Sequence, residues 1–208
     1  LNSVDFDVMT VYAAIKKLKP NFSCGPDGIP PFLYSRLAEA FAQPFSQVFE
    51  LSFQYGTVPN SWKDAIVVPI YKGKGSTSSA GNYRDISLLN AASRIMESIV
   101  NRRLVKYLTD NGLIADNQFG FVKGRSTVSQ LLSVLGDITY ACDKGDCVDV
   151  AYLDISKAFT TVSHEKLIIK LRSLGIHGRL LNWLANFISG RRQRVKVNGV
   201  LSDWSECP

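Results

Sequence analysis

Residues 148–167 read VDVAYLDISKAFTTVSHEKL. A run of β-branched and apolar residues ends at an aspartate, and a helix is expected to open within ten residues of it. The alternation predicts a strand over 147–154 that carries Val148, Val150, Tyr152 and Asp154 on one face, with Asp149 and Leu153 on the other. Asp154 therefore ends an otherwise apolar face, where an ionised carboxylate needs a partner to offset its desolvation. Two readings stand at this point. The carboxylate caps a helix or pairs with a lysine, or it is a ligand for a hard divalent cation such as Mg²⁺. Phe159 follows closely enough to lie beside Asp154, either as a core side chain or as part of a site. Ser163 has the character of an N-cap, with His164 in the first turn of the helix after it.

Outward from this stretch, helices and short strands mix without regular alternation. Val8, Val11, Tyr12, Ile15 and Leu18 fall at helical spacing, with Asp5 or Asp7 at the start and Pro20 as the stop. The turn cluster CGPDGIPP (24–31) precedes two expected helices, around 31–42 and 44–55, with Gly56 in the C-cap position. SWKDAIVVPIYK (61–72) reads as a strand that is an edge or is bulged at Pro69. GKGSTSSAGNYR (73–84) reads as a mobile basic loop at a hairpin tip. Helices are expected over 90–108, 125–142, 163–174 and 177–188, and a final hairpin turns at Asn198-Gly199. The class is α+β, with helices packed on short antiparallel strands and a soft boundary near 140–147.

Of the 208 residues 46% are apolar, enough to build a sizeable core, and the net charge is +6. Basic side chains gather at Lys72 and Lys74; at Arg102, Arg103 and Lys106; at Lys123 and Arg125; and at Arg191, Arg192, Arg194 and Lys196. A solvated face accounts for any one group. All of them together, with Tyr71, Tyr83, Phe119 and Phe121 interleaved, suit a nucleic-acid surface. The glycine-rich loop lacks the leading glycine of a Walker phosphate loop. Cys24, Cys142, Cys147 and Cys207 form no CxxC pair and read as free thiols of an intracellular protein, and no stretch has the length of a membrane span. No Ser/His/Asp or Cys/His set points to nucleophilic catalysis, and neither His164 nor His177 has a companion at metal-ligand spacing.

Six blocks occur in order: LKPNFSCGPDGIP (18–30), WKDAIVVPIYKGKG (62–75), NYRDISLL (82–89), NQFGFVKGRST (117–127), YLDISKAFTTVSHEKL (152–167) and RRQRVKVNG (191–199). Together they resemble the reverse transcriptases of non-LTR retrotransposons, the jockey-like and related lineages of animal mobile elements. The resemblance implies a right-hand polymerase, with fingers over 1–140, including a basic hairpin and loop near 61–88, and the N-terminal part of the palm over 141–208. It implies an RNA template, a DNA primer, dNTPs and two Mg²⁺ ions in the complete enzyme. Asp154 matches a metal-holding palm carboxylate, and the backbone carbonyl of Ile155 a further ligand. Phe159 matches the ring that excludes a ribose 2′-hydroxyl. Lys72, Lys74 and Arg84 match groups that grip the incoming triphosphate. Lys123, Arg125 and Ser126 match a template-contacting segment.

This chain departs from the family's pattern in two places. Asp85 stands where proline is usual, setting a negative charge next to Arg84, and Thr160 stands where a second aspartate is usual. The tyrosine and aspartate pair of the catalytic hairpin does not occur, so the expectation is a chain that stops before that hairpin, leaves an apolar surface exposed and is inactive alone. One rival is a nucleic-acid-binding remnant of such a polymerase without catalysis. Another is the reverse transcriptase type of group II introns, which fits the GPDGIP and GRST contexts less well.

Overall fold

The computed structural model describes residues 1–155, 158, 159 and 161–207. It divides into two compact units, one made of Leu1–Lys106 with Val162–Pro208 and the other of Tyr107–Thr161.

The first unit begins where the sequence predicts. Asp7 caps α1 (Val8–Lys16) by accepting from the amides of Met9 at 2.8 Å and Thr10 at 2.9 Å. α2 (Pro31–Arg36) opens on proline, whose missing N–H costs nothing in a first turn. The break expected near Pro44 falls instead at Leu37, and α3 (Ala38–Tyr55) runs straight through the proline. Phe41, Phe45, Phe49 and Phe53 recur every four residues and so share one face of a single helix. Tyr34, Phe41, Phe45 and Phe49 stack in series at ring separations of 4.8, 5.4 and 5.3 Å, and Phe6 closes on Phe49 and Phe53. A helix broken at Pro44 would take Phe41 out of that line. Gly56 ends α3 in the left-handed conformation at φ 63°.

α7 (Gly178–Ile188) packs on α3. There the buried Trp183 donates its indole N–H to Ser52 at 3.1 Å, and Ser52 donates to the Thr57 carbonyl at 2.6 Å. α6 (His164–Ser173) is capped by Ser163 as expected and leads to Ile176, which is fully buried. α4 (Ala91–Asp110) begins in this unit and contributes Ile95, Met96, Ile99 and Val100 to its core.

The sheet runs β2 (Tyr83–Leu88), β1 (Asp64–Tyr71), β3 (Arg192–Val197), β4 (Val200–Leu201), with β5 (Ser205–Glu206) also on β3. β1 and β2 form the expected antiparallel hairpin, and β3 and β4 turn at Asn198 and Gly199, both at positive φ. The expectation of antiparallel strands fails at the centre, where β1 and β3 are parallel and pair Asp64 with Arg192 through Val67 with Val195. A parallel pair needs no hairpin, so it leaves no turn signal in the sequence. Pro69 lies beyond the end of this parallel pairing. The Lys72 amide donates to the Asn82 carbonyl at 2.8 Å. Counting back by alternation, Pro69 and Asp85 face each other as a non-hydrogen-bonded pair, so the proline forfeits no ladder bond to β2. The expected edge strand is not found: β1 lies between β2 and β3, and Pro69 is accommodated because the pairing with β3 ends at Val67.

The second unit contains the end of α4, a loop over 111–126, α5 (Thr127–Asp143) and an irregular segment after it. The strand expected over 147–154 is not formed. A strand is stabilised by a neighbour's N–H and C=O groups, and among the described residues nothing pairs with this segment. Its side chains are open to solvent, Tyr152 at 91% and Leu153 at 93%. Val128, Leu131, Leu132 and Leu135 of α5 are exposed as well.

Candidate nucleotide and template site

The β1–β2 hairpin carries the triphosphate candidates. Its loop is tied by side chains that reach back to the backbone. The Tyr71 hydroxyl donates to the Gly75 carbonyl, Tyr83 to that of Thr77 at 2.9 Å, and Asn82 to that of Ser76 at 2.8 Å. Tyr71 and Tyr83 stand opposite each other with ring centroids 5.5 Å apart. At Gly75, with φ 82°, a Cβ would lie 2.5 Å from the Asn82 amide, so only glycine fits the turn.

The two lysines, equivalent in sequence, differ here. Lys72 donates its ammonium to the Gly81 carbonyl at 2.8 Å, which folds it into its own loop. Lys74 is exposed, with no hydrogen bond or ion pair among the described residues. Arg84 is likewise exposed and unpaired, on the sheet face it shares with the exposed Ile70 and Ile86. Asp85 points to the opposite face, because successive strand residues do, and it makes no ion pair with Arg84. The charge that the sequence sets beside Arg84 is thus turned away from it.

In the second unit Arg125 organises the 115–125 loop. Its guanidinium donates to the carbonyls of Ala115 at 3.2 Å, Asp116 and Gln118 at 2.7 Å, pairs with the Asp116 carboxylate at 3.7 Å, and lies 5.5 Å from the Phe119 ring centroid. Ser126 caps α5, accepting from the Ser129 amide at 3.1 Å in a reciprocal capping box. Of the three template candidates, Lys123 alone is exposed with no hydrogen bond or ion pair among the described residues.

Asp154 lies exposed in the irregular segment and makes no hydrogen bond or ion pair among the described residues. It is neither the helix cap nor the lysine partner that one reading of the sequence allowed. Ile155 follows it, also exposed. Phe159 is 82% exposed and meets Phe121 edge-on at 6.1 Å, and Phe121 itself is 94% exposed at φ 63°. A free carboxylate and a neighbouring carbonyl are hard oxygen donors, right in kind for Mg²⁺. They are too few to hold an ion alone, and among the described residues no group of three His, Cys, Asp or Glu side chains could do so. Thr160 lies outside the described residues.

The C-terminal basic group is largely spent inside the first unit. Arg192 forms a two-pronged pair with Asp64 at 3.0 and 2.9 Å, and both Arg192 and Arg194 lie over Trp204. Arg191 donates to the Phe187 carbonyl at 3.1 Å and lies over its ring. Burial pushes the Lys63 pKa down, with Arg191 adding to the effect. Arg191 and Arg192 thus have partners within the unit, while Arg192 stays exposed to solvent.

The chain belongs to the reverse transcriptase (RNA-dependent DNA polymerase) family, whose pattern matches residues 70–208. Its relatives are polymerases of mobile elements, as the sequence resemblance led one to expect. It is 29% identical over 201 residues to a probable RNA-directed DNA polymerase from transposon BS of Drosophila melanogaster, covering 94% of this chain and 21% of that protein. To the probable polymerase from transposon X-element of the same fly it is 30% identical, over 74% of this chain and 17% of the relative. To the RNA-directed DNA polymerase from mobile element jockey, also of that fly, it is 28% identical, over 90% and 20%. The chain thus spans about a fifth of the length of these relatives. Among the described residues no helix is long and apolar enough to cross a membrane.

Proposed function

We propose that this chain is the fingers, over 1–140, and the N-terminal palm, over 141–208, of an RNA-directed DNA polymerase from a non-LTR retrotransposon. It acts inside the cell on an RNA template, a DNA primer and dNTPs. The reading rests on one observation: the reverse transcriptase family pattern spans 70–208 and contains every candidate residue from Lys72 to Phe159.

Lys74 and Arg84 bind the incoming triphosphate from the hairpin, and Lys72 keeps the loop that presents them in shape. Asp154 and the Ile155 carbonyl form one side of a divalent-metal site. When bound, the two ions supply acidity at the primer 3′-hydroxyl and neutralise charge on the transferred phosphoryl group. Phe159 sits against the sugar and excludes a 2′-hydroxyl by contact. Lys123 meets template phosphate on a loop whose shape Arg125 and Ser126 maintain. The exposed, unpartnered state of Asp154 supports this role, since a carboxylate satisfied by an internal partner is not free to take a cation.

The test uses a polymerase that carries these 208 residues. Asp154→Asn should abolish primer extension and leave template affinity within a few-fold, and Phe159→Ala should admit ribonucleotides. Extension that survives Asp154→Asn refutes the catalytic reading and leaves a nucleic-acid-binding module. Unchanged sugar selection in Phe159→Ala refutes the role of the ring.

A further inference from the structure

The root of the β1–β2 hairpin is held from two directions by one side chain. Asn90 is 2% exposed and lies between β2 and α4. Its carboxamide oxygen accepts from the Asp27 amide at 3.1 Å, and its NH₂ donates to the Ser61 carbonyl at 2.7 Å. Asp27 belongs to the GPDG turn, 63 residues away in sequence, and Ser61 lies in the turn before β1. The hairpin is therefore fixed at both ends, on its entering side through Ser61 and on its leaving side through Asn90 itself. Gly25 presses on the same point: a Cβ there would meet the carbonyl carbon and oxygen of Leu89 at 2.5 Å and the Asn90 nitrogen at 2.7 Å. These are backbone atoms, so nothing can rotate aside. Gly28 completes the turn at φ 71°, its amide bonded to the Gly25 carbonyl at 3.1 Å.

We infer that Asn90, seated by Gly25 and the Asp27 amide, is a positioning residue for nucleotide binding. It touches no substrate. It locks the base of the hairpin to the 24–28 turn and so sets where Lys74 and Arg84 stand. The GPDG turn then has a function of its own, to present one amide and one Cβ-free surface to the root of the hairpin. A carboxamide suits the position because it offers an acceptor and a donor on separate atoms of one rigid plane, whereas a serine or threonine hydroxyl does both from a single oxygen. The nucleotide half of the inference rests on the proposed role of the hairpin.

Two measurements separate the halves. Hydrogen exchange on the chain compares the wild type with Asn90→Ala and with Asn90→Asp, which keeps the acceptor for Asp27 and loses the donor to Ser61. Loss of both buried bonds should speed exchange of the hairpin amides, Lys72 among them, by ~10- to 100-fold, while amides of α1 and α3 stay near wild-type rates. Asn90→Asp, which turns an oxygen on the Ser61 carbonyl and buries a charge, should loosen the hairpin at least as much. Should Asn90→Ala fail to fold, Asn90→Ser, whose hydroxyl keeps a donor and an acceptor at the position, and Gly25→Ala carry the comparison. In a polymerase bearing the chain, assayed with dTTP on oligo(dT)-primed poly(rA), Asn90→Ala should raise KM for dTTP by about tenfold with a smaller change in kcat, because misplaced binding groups weaken the ground-state complex first. Exchange that is unchanged, or that rises equally in α1 and α3, overturns the clamp. Selective loosening of the hairpin with an unaltered KM overturns the inference through the nucleotide reading, and leaves the clamp as a structural tie alone.

Discussion

Lys72 and Lys74 sit two residues apart on a loop that is expected to meet a triphosphate, and the structure gives them unequal freedom. Lys72 must release the Gly81 carbonyl before it can reach a phosphate, whereas Lys74 has nothing to release. A lysine charge 4 Å from a phosphate charge is worth about 1 kcal/mol at the dielectric of water and about 4 kcal/mol at an effective value of 20. Lys74 is exposed, which places it toward the lower figure. Its removal by Lys74→Ala should therefore cost ~1–2 kcal/mol, or about 5- to 30-fold in nucleotide affinity. For Lys72 the bond to Gly81 has to be broken first, at a net cost of ~0.5–1.5 kcal/mol. That leaves ~0.5 kcal/mol, or about 2-fold, for Lys72→Ala. The assay is dNTP affinity from single-turnover extension in a polymerase that carries the chain, measured at low and high salt. The Lys74 effect should shrink as salt rises, because an exposed charge is screened. Equal losses from the two substitutions, or a larger loss from Lys72→Ala, refute the assignment of the free lysine as the phosphate-binding one.

Other substitutions test other parts of the molecule. Ser52→Ala leaves the buried Trp183 N–H without its partner, and should cost about 1–3 kcal/mol in denaturant unfolding. Burial holds the Glu97 pKa up, with Arg191 and Arg94 pulling it partly back, so the folded state keeps that proton longer than the unfolded state does. Stability is then full below the ordinary glutamate range and is lost as pH rises through the raised value. Glu97→Gln should match the wild type in melting temperature below about pH 4 and exceed it toward neutrality. Arg125→Lys loses the second nitrogen that meets the Asp116 carboxylate and the planar contact with the Phe119 ring, and should speed exchange over 115–125, while Lys123→Ala should leave exchange alone and reduce the salt slope of template binding by about 1. Leu132→Glu with Leu135→Lys should reduce self-association of the chain in sedimentation, since both remove exposed apolar surface.

Where structure follows from neighbours in sequence, the reading held. The Asp7 and Ser163 caps, the Gly56 stop and the Asn198-Gly199 turn are local chemistry, and each is found in place. Pro44 misled because its local cost is outweighed by an aromatic row that only a continuous α3 can align. The parallel β1–β3 pair was invisible because its partners are more than a hundred residues apart and no turn announces it. Over 147–154 the alternation was read correctly as a pattern, yet a pattern supplies only one half of a ladder. The candidate site divides on the same line. Arg125 and Ser126 were legible as residues that matter, but the sequence could not show that their polar atoms are already engaged by carbonyls and a helix end. Asn90 gave no signal at all, being one amide between an apolar run and a helix.

Departures from a family's pattern are often taken as signs of decay, and Asp85 shows why the backbone has to be consulted first. The position lies on β2, an edge strand, in a non-hydrogen-bonded pair with Pro69. In such a pair both N–H groups point away from the partner strand. At position 85 the N–H points off the open edge of the sheet, so the ladder draws nothing from it. Proline is tolerated there because it removes a donor that no strand uses, and its ring blunts an exposed edge. An aspartate restores an N–H that water can satisfy and blunts the edge by charge instead, a different device for the same problem. Its carboxylate stands on the face opposite Arg84, so the side proposed to bind the triphosphate keeps its sign. The two residues differ in sequence and agree in what the edge requires, which leaves the grip of Arg84 on a nucleotide as the quantity that decides whether this site works.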